Sequence, residues 1–454
     1  SIYVGISKLP AASLLSIPCG SPSLPRPQAY WSAVGAALGA RGAPFEGSSA
    51  DAATALDSLL RDAVGCRMEA DVPLGSMLSG GIDSSTVVAL MQAQRSDRVR
   101  TFSIGSTEPG YDEAVHARAV AEHLGTDHTE LYVSAGDALA VIPRLPELYD
   151  EPFADSSQLP AFLVSQLARQ HVTVALSGDA GDELFGGYNR YFHGAAAWER
   201  IRKLPSPLRR LLAGAATTLS PAALDGLFGA LGSLSPRELG GGRAGEKIHK
   251  LAGLLPAADE AAFHRAMLSY WPEPALVVRG ATDELPCDPL PADSGLLFSE
   301  RAMLIDTLNY LPDDILAKVD RASMGVSLEV RVPFLDRRVF EFAWSLPIAM
   351  KIREGQGKQV LRQVLYRYVP QSLIDRPKQG FAVPVGHWLR NELRDWAEAL
   401  LDAGRLDREG YFAPAPIRRC WREHLSGQRN WDTRLWTVLM FQTWLEAQDV
   451  DSPR

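Results

Sequence analysis

Two glycine-rich turns, each closing a short apolar run, constrain this chain more than any other feature. Ser76-Met77-Leu78 stops at Ser79-Gly80-Gly81, and residues 172–176 stop at Ser177-Gly178-Asp179. Two more strand-like runs, residues 99–104 (ending in Gly105) and 129–133, lie between them. Helical stretches separate the runs. Leu56, Leu59, Leu60 and Val64 recur at helical spacing over residues 51–67, residues 84–91 are apolar on nearly all faces, and residues 112–124 again read as helix. Strands alternating with helices predict an α/β fold, a parallel sheet with helices on both faces. Ligands of such sheets sit at the carboxyl ends of the strands, where both turns fall.

Past about residue 195 the β-branched runs give way to Leu, Ala, Arg and Glu, with Pro and Gly punctuating short helical segments. Residues 206–294 carry little signal, and Gly240-Gly241-Gly242 reads as a flexible turn. Helical periodicity returns over residues 299–447, with Trp388, Trp421, Trp436 and Trp444 as aromatic anchors. The expectation is a mainly helical second half. No internal repeat is visible.

At 454 residues the chain exceeds what one core usually organises, so two or three domains are expected. The net charge of -8 offers no footprint for nucleic acid or an anionic membrane. No apolar run approaches the roughly 18 residues that span a bilayer. Cys19, Cys66, Cys287 and Cys420 lie far apart, and the nine histidines show no ligand spacing, so neither a disulfide framework nor a zinc site is expected. A reducing, cytoplasmic location fits this usage. The opening Ile2-Tyr3-Val4-Gly5-Ile6 reads as the tail of another folded unit, and Ser21-Pro22-Ser23-Leu24-Pro25-Arg26-Pro27 as a stiff connector.

The run Leu78-Ser79-Gly80-Gly81-Ile82-Asp83-Ser84-Ser85 leads from a strand through glycines into a helix, which makes an anion site. Glycines let the backbone approach the ligand, and the Ser79, Ser84 and Ser85 hydroxyls add donors. No lysine follows the glycines, so this is not a Walker A loop. Asp83 would repel a phosphate unless a divalent cation such as Mg²⁺ lies between them. Its alternative role is that of a helix N-cap. In the second turn Asp179, Asp182 and Glu183 fall within five residues and repel one another unless something positive sits there. A second Mg²⁺ ligand from this loop would give that balance; a solvated acidic surface loop is the alternative.

The first loop resembles that of the PP-loop ATP pyrophosphatases. The run Ser177-Gly178-Asp179-Ala180-Gly181-Asp182-Glu183-Leu184-Phe185-Gly186-Gly187-Tyr188 narrows the likeness to the synthetase domain of the glutamine-hydrolysing asparagine synthetase family. The stretches from Tyr310 to Met324 and from Ser327 to Asp336 look like the same family, as does Gly357-Lys358 before Val360-Leu361-Arg362. The likeness covers roughly residues 28–450.

The resemblance implies ATP as co-substrate, Mg²⁺ as cofactor, and asparagine formation by a carbon–nitrogen ligase from aspartate and ammonia, the latter drawn from glutamine in full-length relatives. It implies nucleotide contacts at Leu78, the Ser79 to Ser85 loop, Ile104, Ser177 and Gly178, and metal ligands at Asp83 and Asp182. Asp179, where some relatives carry Glu, matches an acidic residue needed for acyl-adenylate formation or for taking a proton from ammonia. Lys358 matches the lysine that neutralises phosphate in adenylation, against the ordinary reading of a solvated surface lysine. Residues 1–20 resemble the end of a glutaminase domain, with 21–29 as linker, 30–195 as the ATP-binding unit and 196–450 as the helical part. No cysteine matches the glutaminase nucleophile, so that domain is expected to be missing. The likeness leaves room for a homodimer. The rival readings are an amidotransferase for another carboxylate such as a sugar acid, suggested by residues 376–384, and a non-catalytic nucleotide-binding module.

Overall fold

The computed structural model describes residues 1–20, 25–106, 112, 114–221, 223–226, 244–282, 290, 294–375 and 383–451. Most of the Pro-rich connector, the Gly240 turn, Cys287 and nearly all of residues 376–384 lie outside the described residues. Two compact units emerge: Ser1–Glu151 with Ser157–Tyr191 and Leu290–Val383, and Pro152–Ser156 with Phe192–Pro289 and Pro384–Arg454.

The first unit is built on a five-stranded, all-parallel sheet. In chain order the strands are β1 (Leu74–Met77), β2 (Arg100–Ser106), β3 (Asp127–Val133), β4 (Val174–Leu176) and β5 (Glu329–Arg331). Their spatial order is β3-β2-β1-β4-β5, so β1 lies at the centre. Met77 pairs with Phe102 and Ser76 with Leu176, which brings the carboxyl ends of β1 and β4 side by side. The expected parallel sheet is present, and its first four strands are the four runs read from the sequence. β5 is an addition: three residues, Glu-Val-Arg, too short and too polar to register as an apolar run.

The helices around the sheet are α1 (Ser49–Met68), α2 (Ile82–Gln92), α3 (Ala114–Leu124), α4 (Gln158–Arg169), α5 (Gly181–Phe185), α6 (Phe298–Leu308), α7 (Ala317–Met324), α8 (Arg337–Ser345) and α9 (Gln359–Leu365). α1 starts where its sequence dictates. Ser48 accepts from the Asp51 amide at 3.2 Å, and Asp51 accepts in return from the Ser48 amide at 2.9 Å, a reciprocal cap. Its Leu56, Leu60 and Val64 face a core shared with Val87 and Leu90 of α2 and with Val360, Leu361 and Val364 of α9. α2 buries every residue from Ser84 to Met91, as a helix apolar on nearly all faces must. Burying each such aliphatic side chain contributes about 1.5–3 kcal/mol before the entropy of ordering it.

The second unit is helical. Trp198 packs on Phe263, Trp396 on Trp436, and Trp444 on Phe441. Trp421 and Trp436 are fully buried there. Among the described residues no helix is long and apolar enough to cross a membrane.

Candidate active site

β1 leads through Leu78, Ser79, Gly80 and Gly81 into α2. Gly80 adopts φ +69, and a Cβ there would lie 2.8 Å from the Ala117 amide nitrogen of α3. Both conformation and space therefore demand glycine. Gly81, not Asp83, is the N-cap of α2, so the capping alternative for Asp83 falls away; Asp83 lies in the first turn. Ser79 and Ser84 hold the loop closed. Their hydroxyls are 2.9 Å apart, the Ser79 amide donates to Ser84 Oγ at 3.2 Å, and the Gly81 amide to Ser79 Oγ at 3.3 Å. Ser85 turns into the core and is fully buried. Leu78 and Ile104 stand at the ends of neighbouring strands, with the Leu78 amide donating to Phe102 O at 2.9 Å.

The second loop leaves β4 beside the first. Gly178 presses on the start of α2, where a Cβ would meet the Ser84 amide nitrogen at 2.5 Å. Ser177 Oγ donates to Asp179 Oδ2 at 2.7 Å. Burial pushes the Asp179 carboxyl above its ordinary value; the Ser177 bond and the charge of Lys318 work against this, while Asp182 adds to it. Lys318, on α7, donates to Ser157 Oγ at 2.8 Å. Ala180 has φ +69, a left-handed conformation that costs a residue with a Cβ roughly 1–2 kcal/mol.

Lys358 joins these loops. Its ammonium pairs with Asp83 of the first loop and lies 2.7 Å from Asp182 Oδ1 of the second. The residue is only 5% exposed, so the reading as a solvated surface lysine does not hold. Burial opposes its charge, but Asp182 and Asp83 overcome this and hold the ammonium above its ordinary pKa. Its backbone is left-handed at φ +61, and its amide donates to Phe185 O at 2.9 Å. The stem threads past glycines: a Cβ on Gly187 would strike the Asp182 carboxylate and Lys358 Cε, and one on Gly357 would strike Gly186 O.

The third carboxylate of the acidic run behaves differently. Glu183 is 1% exposed and accepts the Tyr188 hydroxyl at 2.8 Å. Burial, and then the charge of Asp182, raise its pKa to about 7. Lys318, Ser157 and Tyr188 are the side chains here to which the sequence reading gave no role. The signal for Tyr188 was its fixed distance from Glu183 across two glycines.

Could the two aspartates hold Mg²⁺? Among the described residues no set of three or more His, Cys, Asp or Glu gathers as a metal cage. A cation would instead be shared between two carboxylates and phosphate oxygens, the usual arrangement for a nucleotide-bound Mg²⁺. Asp83 and Asp182 already converge on one cation, the Lys358 ammonium, and the glycines at 178, 181 and 187 keep the space beside them clear of Cβ atoms. The donor set fits.

The stretch that carries both loops and Lys358 matches a known family. Residues 55–446 match the asparagine synthase family. The chain is 31% identical over 386 residues to the glutamine-hydrolyzing asparagine synthetase 1 of Bacillus subtilis (strain 168), covering 84% of this chain and 57% of that protein. A putative glutamine-hydrolyzing asparagine synthetase of Mycobacterium bovis is 35% identical over 398 residues, covering 86% and 57%. The human glutamine-hydrolyzing asparagine synthetase is 24% identical over 421 residues, covering 86% and 55%. The chain thus spans a little over half the length of the curated relatives it matches. With the family matched from the end of α1's capping turn to the last helix, over the whole of the PP-loop sheet, the chain belongs to the asparagine synthase family.

Proposed function

We propose that this chain activates the side-chain carboxylate of aspartate as its adenylate and transfers it to ammonia, giving asparagine. The family uses ATP. The observation that carries the reading is Lys358, buried at the carboxyl edge of the sheet and drawn between two carboxylates from two different loops. A purely structural ion pair would need one carboxylate, and nucleotide binding through Mg²⁺ would need the carboxylates but not a buried lysine between them.

In the first step a carboxylate oxygen of the acid attacks the α-phosphorus of ATP, and the bond from that phosphorus to pyrophosphate breaks. Two anions must meet, so positive charge has to be in place beforehand. The Ser79 to Ser85 loop would present the α2 N-terminus to the phosphates, its own Ser79, Gly81 and Ser85 amides being bonded within the loop. Asp83 and Asp182 would hold Mg²⁺, which supplies charge neutralisation on the phosphate oxygens. Lys358 then exchanges its carboxylate partners for the departing pyrophosphate. Leu78, Ile104, Ser177 and Gly178 are assigned to the nucleotide. In the second step the ammonia nitrogen attacks the acyl carbon, the bond to AMP breaks, and the nitrogen gives up a proton. Asp179, its pKa raised by burial, is suited to receive that proton.

The test is a panel of carboxylic acids offered with ATP, Mg²⁺ and ammonium, reading AMP and pyrophosphate. Aspartate should drive AMP formation well above the other acids, with asparagine formed in equal amount. A stronger response to a different acid would replace the substrate, and no pyrophosphate with any acid would sink the enzymatic reading.

A further inference from the structure

We propose that Tyr188 is a positioning residue, clamped at its hydroxyl by Glu183 and at its ring by the Arg190–Asp306 pair so that Lys358 and Asp182 are held in register. The proposal rests on the adenylation role given to Lys358 above. Its starting point is a group of buried side chains that the reaction itself does not use. Asp306 of α6 is completely buried and accepts from Arg190 Nε at 2.8 Å. The Arg190 guanidinium lies 4.0 Å from the Tyr188 ring centroid, 5.0 Å from that of Tyr310 and 5.5 Å from that of Tyr191. Tyr188 also meets Tyr191 and Tyr310 edge-on, at 5.5 and 5.9 Å. A cation held over an aromatic face and tied to a buried carboxylate makes a rigid mount.

The mount is useful because of what Tyr188 adjoins. Gly187 precedes it, and the backbone of Gly187 lies so close to the Asp182 carboxylate and the Lys358 stem that no Cβ fits between them. The Gly187 amide donates to Asp182 O at 2.8 Å, and the Lys358 amide to Phe185 O at 2.9 Å. The Tyr188 hydroxyl returns to Glu183, the neighbour of Asp182, at 2.8 Å. Residues 182–188 therefore close on themselves through Tyr188 and Glu183, and the Arg190–Asp306 pair holds the Tyr188 ring from outside. Leu184 and Phe185 pin the start of the loop in the core, but Gly186 and Gly187 supply no side-chain packing, so the placement of Gly187 depends on Tyr188. Loosening Tyr188 lets Gly187 shift, and Lys358 with it. A misplacement of about 1 Å at such a group is enough to cost on the order of 100-fold in rate.

The test compares Tyr188→Phe, Glu183→Gln and Glu183→Ala with the wild type. Tyr188→Phe keeps the ring on Arg190 and loses only the hydroxyl bond. It should lower the turnover of AMP formation by roughly 10- to 100-fold, with the ATP KM within about three-fold and the melting temperature within a few degrees. Glu183→Gln still accepts the Tyr188 hydroxyl and should retain several-fold more turnover than Glu183→Ala. The ¹⁵N–¹H signal of the Lys358 ammonium, assigned by its loss in Lys358→Ala, should exchange with water faster in Tyr188→Phe than in the wild type. Turnover within two-fold of wild type, or a loss that follows the fraction unfolded, would overturn the positioning role. If the wild type forms no AMP with any acid, the functional reading has failed, and the ammonium signal alone decides the strut: unchanged exchange in Tyr188→Phe refutes it, faster exchange upholds it.

Discussion

At the scale of single residues, the site turns on the Lys358 ammonium, which meets a carboxylate from each of two loops while only 5% of the residue is exposed. Charge alone argues for a divalent cation between Asp83 and a phosphate and for something positive beside the acidic run; in the structure Asp83 and Asp182 share the Lys358 ammonium. Nothing local to Lys358 announced this, because a lysine after a glycine is usually solvated. Its left-handed backbone and its glycine-lined stem are long-range facts. They sharpen what substitution should do. If Lys358 acts on charge that develops as pyrophosphate leaves, Lys358→Ala should bind ATP within a few-fold of wild type yet lose about 10²- to 10³-fold in single-turnover AMP formation. Lys358→Arg should recover little, since the Gly187 backbone closes on the lysine stem and a planar guanidinium cannot replace a compact ammonium between two carboxylates. Measuring ATP affinity and turnover side by side decides it: equal losses would make Lys358 a nucleotide-holding residue only. Glu183 is legible only as one of three crowded carboxylates, because its role is set by α5, which turns it inward to Tyr188.

At the scale of elements, helical spacing and short apolar runs recovered α1, α2 and α3 and the first four strands, although burial runs from all of Ser84–Met91 in α2 and all of β4 to no buried residue in β3. β5 escaped, since three residues reading Glu-Val-Arg have no face to bury and gain their place only by pairing with β4. The loop between β1 and α2 was the best-specified element, and Gly80 is the residue on which it turns. Alanine there must take φ +69 and press its Cβ to 2.8 Å from the Ala117 amide nitrogen, so the loop has to lift from α3. Gly80→Ala should therefore cost about 1–2 kcal/mol from backbone strain alone, with the clash added to it. Nucleotide affinity should fall at least 10-fold in the folded protein, as the Ser79 and Ser84 hydroxyls lose their register. Urea denaturation and ATP titration of the same sample check both halves. Gly81→Ala is the comparison, with φ -80, which any residue can adopt, and a Cβ that meets only the movable Ser79 hydroxyl at 3.2 Å; a loss equal to that of Gly80→Ala would mean that the loop tolerates no side chain at all, whatever its backbone.

At the scale of the whole molecule, a lysine buried without a carboxylate hydrogen-bonded to it, Lys351, makes stability depend on pH. Linear reading of the chain could not have found this charge, because Lys351 sits in Ile348–Lys351, a single turn with no pattern of its own. It is 1% exposed, donates to Ala343 O of α8 at 2.9 Å, and lies 4.8 Å from the Trp344 ring centroid. Burial pushes its pKa down from 10.5 to about 8, against a smaller opposing pull from Glu300. Between those two values the unfolded chain binds a proton that the folded chain has released, so stability must rise with pH across that window. Below pH 8 both states are protonated and the folded state carries the full cost of the buried charge, on the order of 3 kcal/mol. Lys351→Met keeps the apolar stem and removes the charge, but it leaves Ala343 O short of one donor, a loss of about 1 kcal/mol. The variant should therefore be the more stable protein at pH 7, by about 1–2 kcal/mol. Its advantage should shrink from pH 8 upward and vanish or reverse near pH 10, where the wild-type lysine is largely neutral and still hydrogen-bonded. Urea denaturation of both proteins at pH 7, 8, 9 and 10 measures that difference directly. A gap that stays constant with pH would mean that Lys351 keeps its ordinary pKa in the folded protein and that its charge costs the core nothing.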